Sequence, residues 1–262
     1  QAFASCNQRR SLLKSSAHSA PSKHLITMSG PRPAITTVLF DMDGLLLDTE
    51  SLYTVAQQQI VGGFGKTFTW ELKAKMMGQK ALAAAQILVD DLQLHEQITP
   101  EAFLKEREEV LDVLFATCSL MPGVDRLIRH LHKHGVPIAV ATSSHQRHFD
   151  LKTSSHKELF SLFTHIITGD QVVKGKPDPE IFLKAAATFA GPGGSPAAPA
   201  PSQCLVFEDA PSGLQAAIAA GMPCVMVPDP NLDRALCQGA DEIIGSIADW
   251  DPSKWGLPAF DA

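Results

Sequence analysis

From residue 36 onward, apolar residues fall in short unbroken runs: TTVLF (36–40), VPIAVAT (136–142), THIIT (164–168), CLVFE (204–208), CVMV (224–227) and EIIG (242–245). Runs this short and continuous predict strands buried on both faces. Between most of them lie helical segments with glycine stops, such as PSGLQAAIAAG closing at Gly221. The alternation predicts an α/β fold: a doubly wound, Rossmann-like parallel sheet covered by helices. In such folds ligands gather outside the carboxyl ends of the strands, where Asp41, Thr142 and Asp209 fall.

Residues 53–120 interrupt the alternation. ALAAAQILVDDL is a strong helix former, and TPEAFLKEREEVLDVLFA opens with Thr99 as N-cap and Pro100 at the first helical position. Phe103, Arg107, Val110, Leu111 and Leu114 continue at helical spacing. The expected organisation is a core of residues 33–52 and 121–262 with an all-helical domain, 53–120, inserted over it. GPGGSPAAPAPS (191–202) reads as a flexible surface loop. Residues 1–32 hold basic residues and serines but no acid, and are expected to be disordered. That composition resembles a mitochondrial transit peptide; alternatively Met28 is the initiator. The expected location is cytoplasmic, or mitochondrial if the extension is genuine.

The charge balance narrows the partners. Residues 1–40 carry +5, which leaves −11 for the remainder of a chain whose formal net charge is −6. An acidic body repels a polyphosphate backbone, which argues against a nucleic-acid polymer. No apolar run approaches the ~20 residues needed to cross a bilayer, so no membrane partner is expected either. The five cysteines show no CxxC spacing, and two sit in apolar runs as buried thiols, which suits a reducing compartment. The chain is expected to act as a monomer on a small molecule.

Four stretches carry candidate chemistry. FDMDG (40–44) sets Asp41 and Asp43 at a strand end, where i and i+2 side chains of an extended chain point the same way, roughly 6.6 Å apart. Asp41 can serve as a nucleophile and Asp43 as general acid and base; a turn or calcium loop is the alternative. Gly44 would allow a tight backbone beside a ligand. AVATSS (139–144) ends a strand in hydroxyls, so Thr142 and the Ser143 amide can bind a phosphoryl group or cap a helix. KGKPDPEIF (174–182) presents Lys176, either as a fixed phosphate-binding cation or as a solvated loop lysine, with Asp178 and Pro179 starting a helix. LVFEDAPSG (205–213) places Glu208 and Asp209 at another strand end. Magnesium wants one or two hard carboxylates with waters and phosphate oxygens, and Asp41, Asp209 and the backbone carbonyl of Asp43 suit it, with Glu208 nearby through water.

Taken in order, DxDG, a strand ending in threonine, Lys-Pro and Glu-Asp resemble the haloacid dehalogenase superfamily over roughly residues 35–260. FDMDGLLLDTE and GKPDPEIF are typical of its phosphatase branch. The resemblance implies Asp41 as nucleophile, Asp43 as acid/base, Thr142 and Lys176 on phosphate, Asp209 on Mg2+, and the helical insertion as a cap. The stretches MMGQKALAAAQIL, LMPGVDRLIRHLHKHGVPIAVATSS and VMVPD are similar to members acting on pseudouridine 5'-phosphate, which implies that substrate. Within the cap, Gly78 would admit backbone near the site, and Gln79 and Lys80 would reach substrate on closure.

Rival readings remain open. A dehalogenase would not need Asp43 with Glu208 and Asp209. A sugar-phosphate mutase or broad-range phosphatase would use the same core, and a silent scaffold would keep the fold without turnover. RHLHKHG (129–135) holds His130 and His134 at i, i+4; it reads as a solvated helix end where cations suit the dipole. Trp70, Trp250 and Trp255 read as packing residues.

Overall fold

Six strands form one parallel sheet in the order β3-β2-β1-β4-β5-β6. They are β1 (Thr37–Phe40), β2 (Ile138–Ala141), β3 (His165–Ile167), β4 (Cys204–Glu208), β5 (Cys224–Met226) and β6 (Glu242–Ile243). The structure, a computed structural model, describes residues 34–76, 79, 81–190 and 197–261. Residues 1–32 and the first part of the Gly/Pro/Ala stretch, 191–196, lie outside the described residues.

Strand alternation splits the core into two layers. Val38 and Phe40 of β1 with Leu205 and Phe207 of β4 join one apolar cluster. Leu39, Cys204 and Val206 face the other way and join the second. The first face packs on α5 (Val124–Lys133), α6 (Gln146–Lys152) and α7 (Lys157–Phe160). The second packs on α8 (Glu180–Thr188) and α9 (Pro211–Ala220). With helices on both faces, every strand of the centre is dry, which is why these runs are continuously apolar.

The insertion is helical: α1 (Thr49–Gly62), α2 (Trp70–Met76), α3 (Ala81–Asp91) and α4 (Pro100–Leu114). Thr99 caps α4 by accepting from the Ala102 amide at 3.2 Å. These helices have their own apolar cluster, including Ile60, Leu72, Leu88 and Phe103. Ala56 of α1, Leu111 of α4 and Phe115 just after it join the first core cluster instead, so the root of the insertion is packed into the main body.

Chain topology fixes where a site can form. From the central β1 the chain leaves first to β2 on one side and later returns to β4 on the other. That reversal opens a crevice at the carboxyl ends of β1 and β4. Phe40 is in register with Phe207, so Asp41 emerges beside Glu208, and the Asp41 amide donates to the Phe207 carbonyl at 3.0 Å. Behind the crevice, Phe207 stacks on Phe40 at 5.0 Å and meets Trp250 edge-on at 4.8 Å. Trp250 and Trp255 are buried as expected, but Trp70 is 38% exposed, with Lys73 over its ring at 5.6 Å.

Trp250 fills the space against which the Phe40–Phe207 stack rests. Trp250→Ala should therefore cost about 3–5 kcal/mol of stability, read by denaturant unfolding. A loss below about 1 kcal/mol would show that the crevice floor does not depend on it.

Candidate active site

Asp41 and Asp43 do not face one spot. β1 ends at Phe40, and the two carboxylates that follow bond different lysines. That is how this chain tolerates two like charges two residues apart.

Asp41 bonds Lys176, whose Nζ also lies 2.6 Å from Glu208 Oε1. Lys176 comes from the loop before α8, and its side chain is 6% exposed. Glu208 is anchored by its other oxygen, which accepts the amides of Asp209 at 3.1 Å and Ala210 at 3.3 Å. Gly213 makes that possible: a Cβ there would fall 1.8 Å from the Glu208 carboxyl. Gly44 plays the same part for Asp209. Its φ is +77°, and a Cβ would meet Asp209 Oδ2 at 2.2 Å.

Electrostatics mark this cluster as short of positive charge. Burial, with the charges of Glu208 and Asp43 adding, pushes Asp41 up to about 7 even though Lys176 opposes the shift. Burial and the charges of Asp41 and Glu208 likewise hold Asp209 well above the ordinary carboxyl range. Burial works against the Lys176 charge, yet Asp41 and Glu208 outweigh it and raise that ammonium above its usual value. One oxygen each from Asp41, Glu208 and Asp209 lie within 4.8 Å of one another. Three hard oxygen donors with a single ammonium among them fit a small divalent cation, held directly by two carboxylates and through water by the third.

Asp43 has a separate shell that the sequence did not reveal. Lys152 of α6, 1% exposed, places Nζ 2.6 Å from Asp43 Oδ1 and 2.9 Å from Ser144 Oγ. Ser144 Oγ donates to Asp43 Oδ2 at 2.8 Å, and Thr142 Oγ1 donates to the same oxygen at 3.3 Å. Burial alone would raise the Asp43 pKa, but the charge and hydrogen bond of Lys152, helped by Ser144, hold it below the ordinary value. The ammonium also sits 4.4 Å over the Phe115 ring and 5.7 Å over Tyr53. Lys152 is the last residue of a seven-residue helix, and no sequence motif marks it. The available signal was its place three residues after Phe149, on the helix's buried side.

The remaining expected residues divide. Thr142 is fully buried, and its hydroxyl is spent on Asp43 and on the Ser144 amide at 3.0 Å, while Ser143 beside it is exposed. The Asp43 carboxylate lies outside the three-oxygen cluster. Gln79 is exposed in a bend after α2, its amide donating to the Met76 carbonyl at 3.2 Å. Gly78 and Lys80 lie outside the described residues. Beside Gly44 and Asp209 opens a cleft of about 560 Å³, walled on the insertion side by Glu50, Ser51, Thr54 and Lys73. Lys73 Nζ is 3.1 Å from Glu50 and 3.2 Å from the Thr54 hydroxyl.

Comparisons with known proteins identify the family and the fold. A family model described as haloacid dehalogenase-like hydrolase matches residues 35–221. (DL)-glycerol-3-phosphatase 2 of Arabidopsis thaliana is 53% identical over 233 residues, 88% of this chain and 95% of that protein. A Drosophila melanogaster protein named "Probable pseudouridine-5'-phosphatase" is 45% identical over 229 residues, 86% of this chain and 96% of its own. The crystal structure of a HAD family hydrolase from Deinococcus radiodurans R1, with bound phosphate and sodium, superposes with a TM-score of 0.71 at 25% identity. It covers 85% of this chain and 97% of that one.

Removing Lys152 strands the Asp43 carboxylate. Lys152→Met should destabilise the fold by roughly 2 kcal/mol at neutral pH, under the full cost of breaking a buried pair because Asp43 keeps some solvent. Because the folded pKa of Asp43 is depressed, its contribution is present above the ordinary carboxyl pKa and is lost as pH falls through the folded value. The gap between wild type and variant should therefore shrink below about pH 4. A gap that is absent at pH 7, or that widens in acid, would contradict the pairing.

Proposed function

The chain belongs to the haloacid dehalogenase-like hydrolases, and on that premise we propose that it is a Mg2+-dependent phosphomonoester hydrolase working through an aspartyl-phosphate on Asp41. The observation that carries the reading is the division of labour between the two aspartates: Asp41 lies on Lys176 among Glu208 and Asp209, and Asp43 lies on Lys152.

Asp41 attacks phosphorus, and the bond to the leaving oxygen breaks. Lys176 neutralises charge on the nucleophile and on the transferring group, and the Ser143 amide supplies a further donor. Asp43 gives its proton to the leaving alkoxide, then takes one from the water that attacks the phosphorylated Asp41. Lys152 holds Asp43 as the carboxylate, the form the second step needs. To act in the first step Asp43 must take up a proton and turn from Lys152 toward the crevice. Asp41, Asp209 and the Asp43 backbone carbonyl, with Glu208 through water, would hold Mg2+, whose charge offsets the carboxylates and the phosphate.

The leaving group is read as a primary alcohol bearing further hydroxyls. Glycerol 3-phosphate and pseudouridine 5'-phosphate, the substrates in the two relatives' names, both carry phosphate on a primary CH2 oxygen of a molecule with further hydroxyls. The cleft wall of Glu50, Ser51, Thr54 and Lys73 offers donors and acceptors for such hydroxyls. The helical insertion acts as a cap over this cleft and excludes water during transfer.

Phosphate release should be measured with Mg2+ on glycerol 3-phosphate, pseudouridine 5'-phosphate, uridine 5'-phosphate and hexose phosphates, then repeated with EDTA. Metal-dependent turnover favouring one of the first two is expected, and Asp41→Asn should lower kcat by at least about a thousandfold. Retained turnover in Asp41→Asn would remove it as nucleophile. Preference for a hexose 1-phosphate, whose phosphate sits on the anomeric carbon rather than on a CH2 group, would overturn the leaving-group reading while leaving the core chemistry in place.

A further inference from the structure

At the far end of α5 lies a second group of ligand-type side chains for which phosphoryl transfer has no use. His130 and His134, one helical turn apart, set their ring centroids 4.5 Å from each other. Asp261, more than a hundred residues later, arrives beside them. One ligand atom from each of the three lies within 4.8 Å of the others.

The arrangement is held in place. His130 is 6% exposed, and its Nε2 lies 2.8 Å from the Pro258 carbonyl. A carbonyl only accepts, so Nε2 donates to it, and the tautomer with that proton leaves its lone pair on Nδ1. Metal-bound histidines commonly use such a backbone carbonyl on their outer nitrogen. Phe260 packs against the His130 ring at 4.7 Å, under the Arg126 guanidinium at 4.1 Å. Together these contacts bring residues 258–261 against the helix.

Neighbouring cations are accounted for. Arg129 is paired with Asp125 at 2.9 Å and Glu158 at 3.0 Å, and Arg126 donates to the Ala248 carbonyl at 2.9 Å. Lys133 is the competitor: its Nζ is 2.6 Å from Asp261 Oδ2, but its side chain is 65% exposed and free to swing away. His134 Nε2 is 3.9 Å from Asp261 Oδ1. The hydrogen bond and charge of Lys133 hold the Asp261 carboxyl below its ordinary range, so it is ionised at neutral pH.

We propose that His130, His134 and Asp261 form a site for a divalent transition metal of the Zn2+ or Ni2+ type, completed by water. Two imidazoles and one carboxylate select such ions over Mg2+ and Ca2+, which prefer all-oxygen shells. Bound metal ties residues 258–261 to α5. The site is separate from the Asp41 cluster and stands whether or not the phosphatase reading does.

The test is Zn2+ titration calorimetry on the full, tag-free chain, with millimolar Mg2+ present to occupy the carboxylate cluster. His134→Ala and Asp261→Asn alter exposed side chains, and circular dichroism checks that both variants fold. One equivalent of Zn2+ should bind in wild type, with affinity falling about tenfold or more in each variant, at least the loss seen when an outer-shell partner is removed. Lys133→Gln should bind more tightly, because Asp261 loses its competing partner. No binding under these conditions, or unchanged affinity in either His134→Ala or Asp261→Asn, would overturn the site.

Discussion

The Lys176 ammonium, wedged between Asp41 and Glu208 with Asp209 close by, is the constraint around which the rest of the crevice is arranged. Three carboxylates gathered at the ends of two neighbouring strands would repel one another. In a dry setting that repulsion greatly exceeds its value in water. One fixed cation makes the gathering tolerable without neutralising it, and the residual negative charge is what a metal ion or a phosphoryl group with its metal would meet. The loop carrying Lys176 must therefore be held against the sheet, and α8 does so by packing Ile181, Phe182 and Ala185 into the second core layer.

Two glycines let the carboxylates come this close. Gly213, in the first turn of α9, leaves room for the Glu208 carboxyl against the helix start. There the Asp209 and Ala210 amides bond it. Gly44 gives its missing Cβ to Asp209. In both cases a side chain would displace the acid rather than merely crowd it, because the contact is with the carboxyl group itself. The DxDG and EDxxSG patterns thus record packing as much as chemistry: Gly44 is matched to Asp209 across the crevice, and Gly213 to Glu208 at the end of the preceding strand.

The strand runs were legible because a parallel sheet buried on both faces leaves a continuous apolar signature, and all six expected runs contain a strand. The strand-end acids were legible because charge at the end of such a run is unusual. Lys152 was marked only by its spacing from Phe149, a weak signal. Its seven-residue helix offers too little periodicity to separate a buried face from an exposed one, and a lysine is ordinarily solvated. The divergence of Asp41 and Asp43 was hidden for the same reason. Extended geometry puts i and i+2 on one side, and only the second lysine shows that each acid has its own partner. The approach of Asp261 to His130 and His134 spans more than a hundred residues, which no local pattern carries.

The two lysines differ in what they can respond to. Lys176 touches strand ends and the start of α8, elements fixed by the sheet. Lys152 lies instead against the rings of Phe115 and Tyr53, and these belong to the root of the helical insertion. Tyr53 and Phe115 meet each other edge-on at 5.7 Å, and Phe115 meets His148 of α6 at 5.3 Å. A shift of α1 or of the end of α4 would therefore change the wall around the cation that grips Asp43, while leaving Asp41 and Lys176 untouched. Asp41 and Asp43 leave the same strand end but are gripped from different parts of the molecule. A lysine on a loop held against the sheet grips Asp41, and a lysine walled by the root of the insertion grips Asp43.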